Sequence, residues 1–293
     1  MTQPWQATCI LLLALSAAVP ALADAPEVPP TTDGNQSPFD VDLAIDLPLT
    51  LGTPVVFVMP VLVAEDTVRP WCGLECDRDN INPVDRAVMS DGSQKLADIS
   101  DILLWAGMAL PFAFDALDVA VSSPSDGWNG FGTDTLVLGE AISITLSISH
   151  ILNFVVRRPR PYVYDPDVSD DFKDRSAAAA SFPSGHTAYS FCWATTYSYI
   201  YMKRHPNSRG IWPVWLGTYG YATAVGVLRV MSNAHFLTDG IAGAALGIVV
   251  GWLVPYLRQR DRDEKANPAD SSPRVSLAPM AVDSGFGASL TVR

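Results

Sequence analysis

Six apolar stretches recur along this chain, and they limit what it can fold into. They run roughly over residues 47–64, 102–121, 136–156, 188–202, 212–230 and 236–257. Several approach the ~20 residues that a helix needs to cross a bilayer. Most also hold a polar or charged residue, such as Asp115, Glu140 or His150, and inside a span such residues face the bundle interior. Trp212, Trp215 and Trp252 near helix ends suit an interfacial belt. Gly240, Gly243, Gly247 and Gly251 in the last stretch favour close helix packing. The expected fold is therefore all-α, a transmembrane bundle of about six helices. The competing reading is a soluble bundle of unusually apolar helices.

Composition excludes other classes. Of the 293 residues, 48% are hydrophobic and 17% charged, too apolar for a disordered chain. A net charge of −12 argues against nucleic acid as a partner, since such binders present a basic face. Four cysteines are too few for a disulfide scaffold in a chain this long.

The chain divides into four parts. Residues 1–23 read as a signal peptide, an apolar run ending in Ala21-Leu22-Ala23, with an uncleaved anchor as the other reading. Residues 24–100 form an acidic exported segment with 14 acidic and four basic side chains. Cys72 and Cys76 within it are spaced to pair in an oxidising periplasm, and Asp77, Asp79 and Asn82 read as ordinary loop residues, not a calcium loop. Residues 101–257 form the helical core. Residues 258–293 are a charged tail that alternates around Asp283-Ser284-Gly285, a hairpin pattern.

Charge sets the expected orientation. Lys203, Arg204 and Arg209 follow the fourth stretch, and Arg258, Arg260, Arg262 and Lys265 follow the sixth. The positive-inside tendency puts both groups on the cytoplasmic side of a bacterial inner membrane. An exported N-terminus then requires one early stretch not to span, and the first, with Pro48, Pro54 and Pro60, is the weakest. If all six span, the orientation inverts.

Three motifs lie at the helix ends opposite those basic loops. The first is Arg157-Arg158-Pro159-Arg160-Pro161, which alone reads as an interfacial anchor. The second is Phe182-Pro183-Ser184-Gly185-His186, a helix start whose free N–H groups and dipole attract an anion. Gly185 lets a ligand approach the backbone. The third runs from Arg229 to Asp239 and contains His235. His235 and Asp239 are four apart and share a helix face. A carboxylate there would fix the imidazole tautomer and support nucleophilic attack. Each motif alone is equally a cap or a surface pair.

In this order and spacing, over residues 134–257, the motifs resemble the type 2 phosphatidic acid phosphatase superfamily. The resemblance implies that His235 is a nucleophile forming a phosphohistidine, Asp239 its orienting partner and His186 the general acid. It implies a phosphate cradle of Arg160, Arg229, Ser184 and the Gly185 amide, with no metal and no cofactor. Guanidinium forks match phosphate oxygens, and phosphoryl transfer depends chiefly on positioning and charge neutralisation. Two positions depart. Asn153 stands where the pattern has Lys, and Leu228 where it has Ser. Arg157, four residues after Asn153 and three before Arg160, is a candidate replacement cation and equally an anchor.

The resulting expectation is a membrane phosphatase with a phosphorylated lipid as substrate and a periplasmic site. Three alternatives remain open. They are a soluble periplasmic acid phosphatase, a vanadium haloperoxidase, and a catalytically weak phosphate-binding or scaffold protein. Oligomeric state has no signal in the sequence. His150 and Cys192 read as interior residues and His205 as surface. Trp193, Tyr197 and Tyr201 recur every four residues and read as packing.

Overall fold

Among the described residues each of the six apolar stretches contributes to a helix. A computed structural model of the protein describes residues 37–259 apart from 60–62, 64–67, 123 and 125, and the backbone of two strands in the tail. The signal, the linker after it, and Arg260, Arg262 and Lys265 lie outside the described residues. Among the described residues the α-helices are α1 Leu43–Phe57, α2 Pro83–Val88, α3 Gln94–Ser122, α4 Gly127–Val156, α5 Asp170–Lys173, α6 Gly185–Arg204, α7 Ile211–Met231 and α8 Leu237–Leu257. The chain divides into two units at Arg258. The first is all-helical. The second carries an antiparallel hairpin, β1 Val275–Val282 on β2 Gly285–Val292, with Val275 opposite Val292.

Among the described residues three stretches are long and apolar enough to cross a membrane: Gln94–Ser122, Gly127–Tyr164 and Leu237–Leu257. The all-helical bundle with membrane-crossing helices expected from the sequence is borne out, and its helices differ in length and polarity. Helix α1 has 15 residues, a rise of about 22 Å against a ~30 Å hydrocarbon core. Helices α6 and α7 are long enough but carry many hydroxyls. Several are buried and paired: Thr195 with Tyr219 at 2.7 Å, Ser198 with Thr218 at 2.8 Å, and Thr196 donating to the Gly251 carbonyl at 3.1 Å. Such pairing removes the cost of burying polar groups and makes α6 the buried centre of the bundle.

Helix α8 lies against α6 through its glycines. A Cβ at Gly247 would sit 2.2 Å from the Ala188 carbonyl oxygen, and one at Gly251 2.5 Å from that of Cys192. Only a hydrogen at these positions permits that backbone approach. Aromatic packing fills the rest. Trp193 meets Tyr221 edge-on at 5.5 Å, and Phe191 meets Tyr219 at 5.5 Å. Cys192 is buried and free, as its place in a helix suggests.

The acids within the helices are indeed interior. Asp115, Asp134 and Glu140 are buried. Arg204 pairs with Asp126 at 2.9 Å and with Asp134, and Arg258 with Glu140 at 2.7 Å and with Asp46. Two of the basic residues that carried the orientation argument therefore also bind helices together. His205, read as surface, pairs with Asp118 at 2.9 Å.

The acidic segment is folded onto the helical unit. Cys72 and Cys76 are disulfide-bonded. Asp77 accepts from the Asp79 N–H at 2.9 Å and Asn82 from the Asp85 N–H at 3.0 Å, ordinary cap bonds of short helical turns.

Candidate active site

Five helix ends meet at one end of the bundle: α4 and α7 arrive there, and α3, α6 and α8 leave. Helix α4 stops at Arg157, whose φ of 49° is left-handed and whose N–H returns to the Asn153 carbonyl. The chain beyond runs beside residues 178–181. The Arg160 N–H donates to Ala178 O at 2.9 Å, and the Ser181 N–H to Arg158 O at 3.2 Å. After α7, Asn233 takes φ 61°, a conformation that Asn tolerates better than most residues. The N–H groups of Ala234 and His235 then both turn back to the Arg229 carbonyl. These two reversals present Arg160 and His235 to a cavity of about 310 Å³, which Gly185, His186, Asn153 and His150 also line.

His235 is buried, and its Nδ1 lies 2.8 Å from the Ser181 carbonyl oxygen. A carbonyl only accepts, so Nδ1 carries the proton and Nε2 holds a free lone pair. Burial first, then the Arg160 and Arg229 guanidiniums, hold the imidazole pKa well below the usual histidine value. The ring is therefore neutral and nucleophilic at neutral pH.

Asp239 does not touch that ring directly, contrary to its expected part as orienting partner. Its carboxylate accepts from Ser181 Oγ at 2.5 Å, the Phe236 N–H at 2.9 Å and Arg158 Nη1 at 2.5 Å. A spacing of four residues on one helix would have faced it toward His235. His235 precedes the helix, however, and α8 begins only at Leu237. Asp239 instead reaches the imidazole through Ser181, holding its hydroxyl while its carbonyl holds Nδ1.

The cradle residues divide between lining and support. Arg160, Gly185 and His186 line the cavity. Ser184 caps α6, but its Oγ accepts from the Thr187 hydroxyl at 2.9 Å and from no first-turn backbone N–H. The first-turn N–H groups are thus left without that cap. Arg229 is buried and donates to Ser100 Oγ at 3.1 Å and Asp101 Oδ1 at 2.9 Å. The Nε atoms of Arg160 and Arg229 are both buried without a hydrogen-bond partner. A buried unpaired donor costs about 1–3 kcal/mol, so each of these two guanidiniums has a donor that an anion could satisfy.

Arg157 is not a replacement cation. The helix ends before it, so helical spacing to Arg160 no longer applies; its side chain is exposed and is not among those lining the cavity. Asn153 lines the cavity, but its Nδ2 donates to the Ser149 carbonyl at 2.9 Å, so it supplies no cation and spends its amide on its own helix. His150, set aside as interior, reaches the cavity wall.

Other contributors had little or no signal in the sequence. Asp85, in the acidic segment, accepts from the Thr238 N–H at 2.9 Å, Thr238 Oγ1 at 2.6 Å and Arg158 Nη2 at 2.7 Å. It caps α8 from 153 residues away. Burial raises the Asp85 pKa, but bonds from Thr238, Arg158 and Asn82 outweigh it and leave the carboxyl below its usual range. Arg158 thus bridges Asp85 and Asp239 and lies 4.3 Å over the Phe236 ring. The doubled Arg-Pro of the first motif hinted at Arg158; nothing in the sequence singled out Asp85, Ser181 or Asp101. Among the described residues no group of three or more His, Cys, Asp or Glu side chains is placed to hold a metal ion.

Comparison with known proteins agrees with the motif reading. Residues 134–263, which contain all three motifs, match the PAP2 superfamily. Over 78 residues the chain is 41% identical to a lipid A 1-phosphatase of Porphyromonas gingivalis, covering 26% of this chain and 16% of that one. Over 134 residues it is 29% identical to phosphatidylglycerophosphatase B of Bacillus subtilis, covering 43% and 57%. The matches thus span less than two thirds of either relative. A crystal structure of a transmembrane PAP2-type phosphatidylglycerolphosphate phosphatase from Bacillus subtilis covers 90% of this chain and 98% of its own, at 21% identity and a TM-score of 0.32.

Proposed function

We propose that this PAP2-superfamily chain is a phosphatase that hydrolyses a lipid phosphomonoester or pyrophosphate through a phosphohistidine on His235. The observation that carries the reading is the cavity. A neutral imidazole with a free Nε2, a second histidine, a helix start and the Arg160 guanidinium with its unpaired Nε converge there, and Arg229, its Nε also unpaired, shares Asp101 with that second histidine.

The chemistry follows from those groups. The Nε2 lone pair of His235 attacks phosphorus, and the bond from phosphorus to the leaving oxygen breaks. His186 gives that oxygen a proton. The positive charge left on the imidazole is offset by the Ser181 carbonyl at Nδ1. Arg160, Arg229 and the first-turn N–H groups of α6 neutralise the phosphoryl oxygens, which is most of what phosphoryl transfer asks of a protein. Water, giving its proton to His186, then displaces His235 and releases phosphate. The residues present supply these roles without a metal.

A lipid substrate is supported by the apolar spans that carry the site and by the phosphatases of lipid A and of phosphatidylglycerophosphate among the relatives. An inner-membrane location with the site toward the periplasm is supported by the motifs lying opposite the Lys203–Arg209 loop. Asn153 favours a second reading, a phosphate binder with weak turnover, because its amide is spent on Ser149.

The test is phosphate release by detergent-purified protein with and without EDTA, on a panel of lipid phosphates and a soluble aryl phosphate, beside His235→Ala. The reading expects EDTA-resistant release, best on a lipid, that is lost in the variant. Binding of phosphate without release, in folded protein, would replace it with the binder; release best on the soluble ester would point to a general acid phosphatase.

A further inference from the structure

Asp101, on α3, belongs to none of the three motifs, yet its carboxylate meets two of them. Asp101 Oδ1 lies 2.7 Å from His186 Nε2 and 2.9 Å from Arg229 Nη1. Its neighbour Ser100 takes a second bond from the same Arg229 nitrogen at 3.1 Å. Helix α3 is held in register by packing on α6 and α7. The Tyr221 hydroxyl donates to the Leu103 carbonyl, and a Cβ at Gly107 would sit 2.9 Å from the Tyr221 ring. The Asp101 side chain is 51% exposed, so solvent reaches it.

We propose that Asp101 is a positioning residue: its carboxylate fixes the His186 ring and stabilises the imidazolium when it forms to protonate the leaving oxygen. The inference rests on the phosphatase reading for its role in turnover, though not for the pairing itself. The charged and titratable groups facing His186 are Arg229 from α7, Arg160 from the loop after α4, His235 from the loop before α8, and Asp101 from α3. Burial first, then the Arg229 and Arg160 guanidiniums, pull the imidazole pKa down to about 4, and Asp101 is the one carboxylate among these groups that opposes them. With the Nε2 proton held by Asp101, the proton on Nδ1 is the one left to give. It passes to the leaving oxygen as the bond to phosphorus breaks. His186 becomes neutral, still bonded to Asp101, and recovers the proton from the water that attacks the phosphohistidine.

The test reads His186 first and turnover second. With four histidines in the chain, single His→Gln variants assign the imidazole signals in an NMR titration of the full chain in detergent. The His186 midpoint should fall by about one to three pH units in Asp101→Asn, the usual effect of losing an opposite charge at this distance. An unmoved midpoint overturns the proposal whether or not the protein turns over substrate. In turnover, Asp101→Asn should lose kcat by about tenfold or more on an alkyl phosphate, whose leaving oxygen needs a proton. The loss should be far smaller on an aryl phosphate. The alkaline limb of the alkyl profile should move to lower pH, and Asp101→Glu should restore most of the rate. Equal loss on both esters at every pH, or a lower KM at unchanged kcat, would overturn it, the latter marking Asp101 as a mere occupant of the anion site. A shifted midpoint in a protein with no turnover would count against the phosphatase reading and leave the pairing standing.

Discussion

His235 and Arg158 show how single side chains set this site. The imidazole is neutral in the folded chain because burial and two guanidiniums disfavour its charge. The unfolded chain has no such bias and takes up a proton below its ordinary value of 6.5. The unfolded state then binds more protons, so this group makes stability fall as pH drops below about 6.5. His235→Gln should flatten that part of a melting-temperature profile, and an unchanged slope would show that the ring is not held neutral. Arg158 is placed to satisfy two buried carboxylates at once. Arg158→Ala leaves Asp85 and Asp239 uncompensated, and the cost of breaking such a buried pair is about 3–5 kcal/mol. A variant that melts with the wild type would contradict the bridging role. Asn153→Lys restores a cation at the cradle. It should raise kcat/KM, up to the ~1.5–3 kcal/mol of one charge-assisted bond, whereas a large loss would assign the amide a task of its own. The residues proposed to touch the substrate are legible because their types and spacings are tied to chemistry. Asp85, Ser181 and Asp101 were not, because each acts across 50 or more positions of chain, and no local pattern announces such a partner.

At the scale of elements, helix existence was plain from the apolar runs, and the errors came at helix ends. The end of α4 before Arg157 and the start of α8 after Phe236 undid two inferences that assumed continuous helical spacing. The role of Arg157 fell, and Asp239 acquired an indirect one. Three helices are long and apolar enough among the described residues to span by themselves, while α6 carries hydroxyls of which several pair inside the bundle. The glycine stripe of α8 was read correctly, since small residues at four-residue spacing have few other uses. It carries a direct test. Gly247→Ala places a methyl against the Ala188 carbonyl, and overpacking of this kind costs about 1–3 kcal/mol. Because α8 also carries Asp239 and is capped by Asp85, activity should fall with stability. Full activity in a destabilised Gly247→Ala would show that the site does not depend on how closely α8 seats on α6.

At the scale of the whole molecule, the acidic segment and the helical unit form one site. Residues 82–101 bring Asp85 and Asp101 to the helix ends that carry the three motifs, which explains why a segment without motifs is nonetheless docked there. The same end is the one assigned to the periplasm. Asp91 lies there and Asn207 in the loop at the far end, both exposed. In intact cells a membrane-impermeant thiol reagent should label Asp91→Cys and spare Asn207→Cys; the reverse pattern would invert the orientation. The central claim is a covalent intermediate on one histidine. Its most direct measurement is rapid quenching of the full-length protein in turnover with a ³²P-labelled lipid phosphate, followed by location of the label. The account predicts acid-labile, alkali-stable label on His235 that vanishes in His235→Ala. Turnover with no protein-bound label at any quench time, or label on another residue, would contradict it.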